Sequence, residues 1–390
     1  MPGSDIHIQL TREALELSAV PLEKNCASEL IREYCLYPDY YFGRQQELGK
    51  YQYFTDGIQF HYLPDTPWND VYRYWGYDKD GKACKIRPFR NENFIHANNG
   101  FLFLITKCVE EWKKGCWNEG SRYLGTLLHT LEDSTFGPHT MEGPHGVDFF
   151  ALNRLSGKDL VTPVCRMKPD QAPLKELEGE GVIRILGRNP EEVAMRLYAE
   201  YTCSNNASRQ CCFREAVRHF TGTINEQETI KDCHAMRVHA VKVCAEVVKS
   251  CYALATGEGL ETLPATCCLA ELEPVEFPFN GAGPYHFRTM TRDGSTLKFG
   301  IQQVVALSYS IAENTFSRFE TALSLEEYTH EKGVFCKVFL RDELVLETEL
   351  KPGQAVPLSL KNPGGMLSFR FRGPATVPGG IVLKDPCLFC

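Results

Sequence analysis

What this chain lacks narrows what it can be. No apolar run approaches the length needed to cross a bilayer, so no membrane-spanning helix is expected. There is no run of lysines or arginines, and 42 basic against 50 acidic side chains give a formal net charge of −8, which argues against a nucleic-acid backbone as partner. The opening Met1-Pro2-Gly3-Ser4-Asp5-Ile6-His7 has neither the basic n-region nor the apolar h-region of a secretory signal. A cytoplasmic protein is therefore expected, or a secreted one if the chain is a trimmed mature form. Paired C-x-x-C zinc-ribbon spacings are missing, and so is any internal repeat.

Cysteine itself is abundant, at 17 residues. Cys203, Cys211, Cys212, Cys233, Cys244 and Cys251 fall at positions expected for helix cores. Free, buried thiols in a reducing compartment are expected rather than a disulfide framework. Cys267, Cys268, Cys387 and Cys390 are the expected exceptions.

With 390 residues, 43% hydrophobic and 24% charged, the chain has room for two globular domains. Two helices are predicted within 8–36, the second stopped by Tyr37-Pro38-Asp39. Residues 40–95 are aromatic and rich in turn formers, and long irregular segments of this kind commonly build a site. Helices are predicted again at 98–114 and 117–134. Asn189-Pro190-Glu191-Glu192 carries a cap, a first-turn proline and two first-turn acids, so it starts a further helix. Helical pattern then runs to about 256, where Gly257 and Gly259 close it. From Pro274 onward, short alternating runs at 300–307, 334–340, 344–350, 356–360 and 367–371 are separated by Gly and Pro turns, the pattern of a β-sandwich or jelly roll. The expected fold is a multidomain one: an all-α domain over 1–265 followed by an all-β domain over 275–390.

The organising stretch is Leu127-Leu128-His129-Thr130-Leu131-Glu132-Asp133. Leu124, Leu127, Leu128 and Leu131 form one apolar stripe at helical spacing. His129 and Asp133 are four apart, so they share a helix face and can close on one divalent cation. Gly137-Pro138 ends the helix, and His139 and His145 come soon after.

The series Glu111-Trp112, Gly115, Tyr123-Leu124-Gly125, His129, Asp133 and His139 resembles the signature of the zinc-dependent phospholipase C family, whose structural cousins are the P1-type nucleases. The resemblance covers roughly 7–256. It implies that Tyr37-Pro38-Asp39-Tyr40 supplies a zinc ligand through Asp39. It also implies that Phe60-His61-Tyr62-Leu63-Pro64-Asp65 supplies another through His61. Asp39, His61, His129 and Asp133 would then complete one site. His139 and His145 would serve a second ion, but the residue four beyond His145 is Phe149 rather than an acid, with Asp148 or Glu142 as substitutes. His7 would stand for the histidine of a third ion, which lacks its N-terminal tryptophan here. His96, His219, His234 and His239 are read as structural.

The C-terminal stretches Phe316-Ser317-Arg318-Phe319, 338–343 and Asp385-Pro386-Cys387-Leu388 resemble the NPCBM-type β-sandwich found beside glycoside-active enzymes. That resemblance implies an accessory domain that either binds carbohydrate or covers the helical one.

The family resemblance implies hydrolysis of a phosphodiester, most simply a phospholipid head group, with Asp39, Asp65 or Glu132 as general base. A single zinc among Tyr37, Tyr40, Tyr41, Phe42, Tyr62 and Trp68 would instead suit a small aromatic substrate, as in the cyclopenases, zinc lyases of quinolone alkaloid biosynthesis. A non-catalytic binding protein with structural zinc is the third reading.

Overall fold

The computed structural model describes residues 4–22, 26–27, 30, 34–36, 75–77, 83–85, 97–135, 157, 159, 163–164, 167–179, 181–274, 279–280, 287–288, 290–299, 303–326, 333–373 and 380–390. An α-helical unit, Met1–Glu261, precedes a β unit, Thr262–Cys390. The expected order, helices first and sheets second, is the order observed.

The helical unit contains α1 (Ser4–Ser18), α2 (Ala97–Lys113), α3 (Trp117–Asp133), α4 (Pro190–Thr221) and α5 (Glu226–Thr256), with a short strand pair β1 (Trp75–Tyr77) and β2 (Ala83–Lys85). The leucine stripe of α3 does what its spacing predicts: Leu124, Leu127, Leu128 and Leu131 are fully buried. Each such side chain contributes roughly 1.5–3 kcal/mol by leaving water. At the α2–α3 corner, Trp112 is buried and its indole N–H donates to the Trp117 carbonyl at 3.0 Å.

Gly125 sets how closely the segment 34–36 can approach α3. A Cβ placed there would lie 2.4 Å from the Tyr34 Cβ and 2.6 Å from the Tyr34 carbonyl carbon. Its missing side chain lets the 3-10 turn Tyr34–Leu36 sit directly on the helix.

At the start of α4 the Asn189 side chain accepts from the Glu192 N–H at 2.8 Å, with Pro190 in the first turn, as the sequence predicts. Gly257, at φ 86°, takes the left-handed conformation that ends α5. Helix α5 also fixes α1. The buried Arg237 guanidinium donates to both Glu13 oxygens at 2.8 and 2.9 Å, to Asp170 Oδ1 at 2.9 Å and to the Ala172 carbonyl at 2.7 Å. His234, one turn back, bridges Asp170 Oδ2 at 3.0 Å and Glu176 Oε1 at 3.1 Å.

Among the described residues, the β unit has two main sheets and a separate two-stranded pair, built from β3 (Thr266–Cys268), β4 (Phe279–Asn280), β5 (Phe287–Arg288), β6 (Met290–Asp293), β7 (Thr296–Phe299), β8 (Gln303–Ile311), β9 (Arg318–Leu325), β10 (Val334–Leu340), β11 (Glu343–Leu350), β12 (Ala355–Lys361), β13 (Gly365–Gly373) and β14 (Ile381–Phe389). One sheet runs β11-β10-β13-β8; the other runs β12-β9-β14-β7-β6, with β3 added along β14, while β4 and β5 form a separate pair. Burial alternates along β9, and its Phe319 meets Phe369 of the opposite sheet edge-on at 6.4 Å. That inter-sheet contact is the core of a sandwich.

Among the described residues, eleven cysteines are buried. Cys203, expected in a helix core, is exposed. It sits on the solvent side of α4, whereas Cys211 and Cys212 lie on the covered side.

The His234 clamp gives stability a pH signature. Burial alone would push the His234 pKa down, but its bonds to Asp170 and Glu176 outweigh that and hold it above the ordinary histidine value. A raised folded-state pKa stabilises fully below the unfolded value of about 6.5, and the increment disappears as pH climbs through the folded value. We expect urea-unfolding curves of wild type to lose stability over that window and those of His234→Ala to be flatter there. Identical pH profiles would show that the clamp contributes nothing.

Candidate metal centre

Three side chains from two helices of the helical unit converge on one point. His7 comes from α1, and His129 and Asp133 come from one face of α3. One ligand atom from each lies within 4.8 Å of the others, and all three residues are buried. His129 Nε2 is 3.4 Å from Asp133 Oδ2, and His7 Nε2 is 3.6 Å from Asp133 Oδ1. The two imidazoles stack at 4.0 Å with planes 16° apart.

Each ring is oriented through its other nitrogen. His129 Nδ1 is 2.6 Å from the carbonyl oxygen of Cys35. A carbonyl can only accept, so Nδ1 carries the proton and Nε2 presents its lone pair toward Asp133. The Cys35 carbonyl is within reach because Gly125 admits the 34–36 turn. His7 Nδ1 lies 2.6 Å from Glu132 Oε2, and the Thr11 hydroxyl donates to Glu132 Oε1 at 2.6 Å. Thr11 lies one helical turn beyond His7, so α1 supplies both the ring and the group that steadies its carboxylate partner.

The donor set fits a divalent cation. Ligands tetrahedrally disposed at about 2.0–2.1 Å from one ion stand roughly 3.3 Å apart, close to the 3.4 and 3.6 Å seen here. Two adjacent carboxylates, Glu132 and Asp133, are buried with two imidazoles. Buried negative charge needs a compensating positive one, and a dication held by these three residues would supply it. Burial pushes the Glu132 carboxyl well above the ordinary range; Thr11 and His129 pull it back and Asp133 pushes it further. A cation held by His7 would act in the opposite sense, favouring the ionised form of Glu132.

Of the residues the sequence singled out, the structure brings His129 and Asp133 together. Asp39, His61, Asp65, His139 and His145 lie outside the described residues, as do the aromatic side chains between 37 and 68. Glu132, expected as a general base, takes a different place. Both its oxygens are engaged by His7 and Thr11 and it is 1% exposed, so it positions His7. His7, which the resemblance assigned to a separate third ion, shares the His129/Asp133 cluster. Its signal in the sequence was there to find: His7 and Thr11 lie in the buried stripe of Ile6, Leu10 and Ala14, two polar groups on an apolar face.

No protein-family model and no curated protein matches the chain. Among solved structures, the alpha toxin of Clostridium absonum aligns over 99% of this chain and 93% of that one, at 10% identity and TM-score 0.36. An alpha-toxin from an avian strain of Clostridium perfringens aligns over 99% and 85%, at 11% identity and TM-score 0.36. Tandem CBM51 modules of a family 98 glycoside hydrolase from Streptococcus pneumoniae align over 32% of this chain, at 14% identity and TM-score 0.25, and this alignment spans about half (47%) of their length. With every TM-score under 0.5, these likenesses carry none of the assignments made from the side chains.

The role of Glu132 is open to direct measurement. Removing a carboxylate that orients a ligating histidine typically costs 10–100-fold in metal affinity. We expect Glu132→Gln to weaken zinc binding by about that factor in competition with a chromophoric chelator, with the helical content unchanged. An affinity equal to wild type would remove Glu132 from the centre.

Proposed function

We propose that the helical unit is a zinc-dependent hydrolase that cleaves a phosphodiester, most simply at a phospholipid head group. The observation that carries this reading is the convergence of His7, His129 and Asp133 with each imidazole anchored through Nδ1. The sequence resemblance around Trp112, Gly125, His129 and Asp133 supports it. In this reading His7 Nε2, His129 Nε2 and an Asp133 oxygen would hold the ion, with Asp39 or His61 completing a four-coordinate shell that water enters by expansion to five. His139 and His145 would serve a second. A zinc so held supplies Lewis acidity toward a phosphoryl oxygen and brings the pKa of bound water toward neutrality.

The chain's own contribution is to fix that centre. The Cys35 carbonyl and the Glu132 carboxylate keep the Nδ1 protons in place, so both rings face inward without reorganising. Helix α3 holds His129 and Asp133 on one rigid face. Burial of the cluster keeps bulk water from screening it. Asp39 or Asp65 is proposed as the group that takes the proton from the attacking water. The β unit is proposed as an accessory module.

The test combines elemental analysis of the purified protein with an assay for phosphocholine release, on wild type and His129→Ala. Wild type is expected to carry zinc and release phosphocholine. His129→Ala is expected to lose the metal and on the order of 10²–10³ in turnover, the cost typical of deleting a principal electrostatic stabiliser. Wild type purified without zinc would sink the proposal. Zinc with no phosphodiester cleavage but turnover of a small aromatic heterocycle would replace it with the single-zinc lyase.

A further inference from the structure

Four cysteines lie where β3 and β14, the first and last strands of the β unit, meet. Cys267 and Cys268 are on β3, Cys387 is on β14, and Cys390 comes directly after β14. The ladder between these strands is antiparallel, with Cys268 opposite Cys387, Cys267 opposite Leu388 and Thr266 opposite Phe389. Its register sorts the four thiols. Side chains alternate faces along a strand, so Cys267 points away from Cys268. Cys390, three residues beyond Cys387, starts from the opposite face. The C-x-x-C spacing of Cys387 and Cys390 therefore does not bring those two together while the strand is intact.

The same ladder shows which kind of pair Cys268 and Cys387 make. The Cys390 N–H donates to the Ala265 carbonyl at 2.9 Å, which marks 390 and 265 as a hydrogen-bonded pair. Hydrogen-bonded and non-hydrogen-bonded pairs alternate. Two steps back, 388/267 is again hydrogen-bonded, and 387/268 is non-hydrogen-bonded, the class in which opposite Cα atoms approach to about 4.5 Å and side chains are closest. That spacing lies within the range a disulfide spans. Cys268 is 8% exposed, whereas Cys387 is only partly covered and open to a small reagent.

We propose that Cys268 and Cys387 are a modification site: a cross-strand thiol pair that closes to a disulfide by exchange with a low-molecular-weight disulfide of the glutathione class. The Cys387 thiolate attacks one sulfur of the reagent, forming a mixed disulfide and releasing one thiolate. Cys268 then gives up its proton, attacks the Cys387 sulfur and releases the second thiolate. Two protein thiols are oxidised, one reagent disulfide is reduced to two thiols, and the two protein protons end on them. The order comes from the surroundings. Burial pushes the Cys268 thiol up to about 11. Burial also raises Cys387, with the Asp385 and Glu271 carboxylates adding to the rise and the neighbouring Cys268 thiol opposing it. Because Cys387 is only partly covered while the buried Cys268 thiol donates to the Ser295 carbonyl at 3.5 Å, Cys387 is the thiol that meets the reagent first. The bond would tie the strand that opens the β unit to the one that closes it.

The test is exposure of the full-length folded protein to oxidised glutathione, with non-reducing peptide mapping as the readout. The expected result is a peptide pair linked through Cys268 and Cys387, formed at a rate rising roughly tenfold per pH unit below the thiol pKa. The link should be missing in Cys387→Ser, which should keep its thermal melting transition. In Cys268→Ala, glutathione should stay attached at Cys387. A Cys387–Cys390 link, or persistent glutathione on wild-type Cys387 without closure, would overturn the proposal.

Discussion

Two hydrogen bonds at imidazole Nδ1 atoms decide what the centre of the helical unit can do. One ties His129 to the Cys35 carbonyl and the other ties His7 to Glu132, each at 2.6 Å. Rotation of either ring about its χ angles would turn a lone pair away from Asp133. Because both anchors are themselves buried and held, the arrangement exists before any ligand arrives. Such preorganisation lets a buried site of mixed charge bind a cation without first rebuilding itself.

The scaffold around those bonds is arranged to deliver them. Gly125 brings a backbone carbonyl, rather than a side chain, against α3. Arg237 links α1 to α5 through Glu13, and so sets where His7 sits along α3. The leucine stripe of α3 faces the core, while His129 and Asp133 occupy an adjoining face that α1 covers. Packing and chemistry thus use different sides of one helix.

Much of this was legible in the sequence where the signal is local. The leucines of α3, the His129-x-x-x-Asp133 spacing, the Asn189-Pro190 start and the alternating runs of the β unit all stem from short-range periodicity and capping. Partners distant in sequence were harder. His7 reaches Glu132 across 125 positions. The anchor of His129 is a main-chain oxygen, and every residue has one, so no side-chain pattern could reveal Cys35. Glu132 looked like a free acid beside the ligand pair, and only the approach of α1 shows both its oxygens engaged. Strand β3 is three residues long between Pro264 and Pro274, too short for alternation to register, and only its ladder with β14 identifies it.

In the proposed function two imidazoles and a carboxylate grip one zinc ion deep in the helical unit. X-ray absorption at the zinc edge of the purified protein tests it most directly. Bound zinc is expected, with a first shell of nitrogen and oxygen only and the multiple-scattering signature of at least two imidazoles. A protein without zinc, or a shell containing sulfur from thiols such as Cys35 or Cys244, would contradict it.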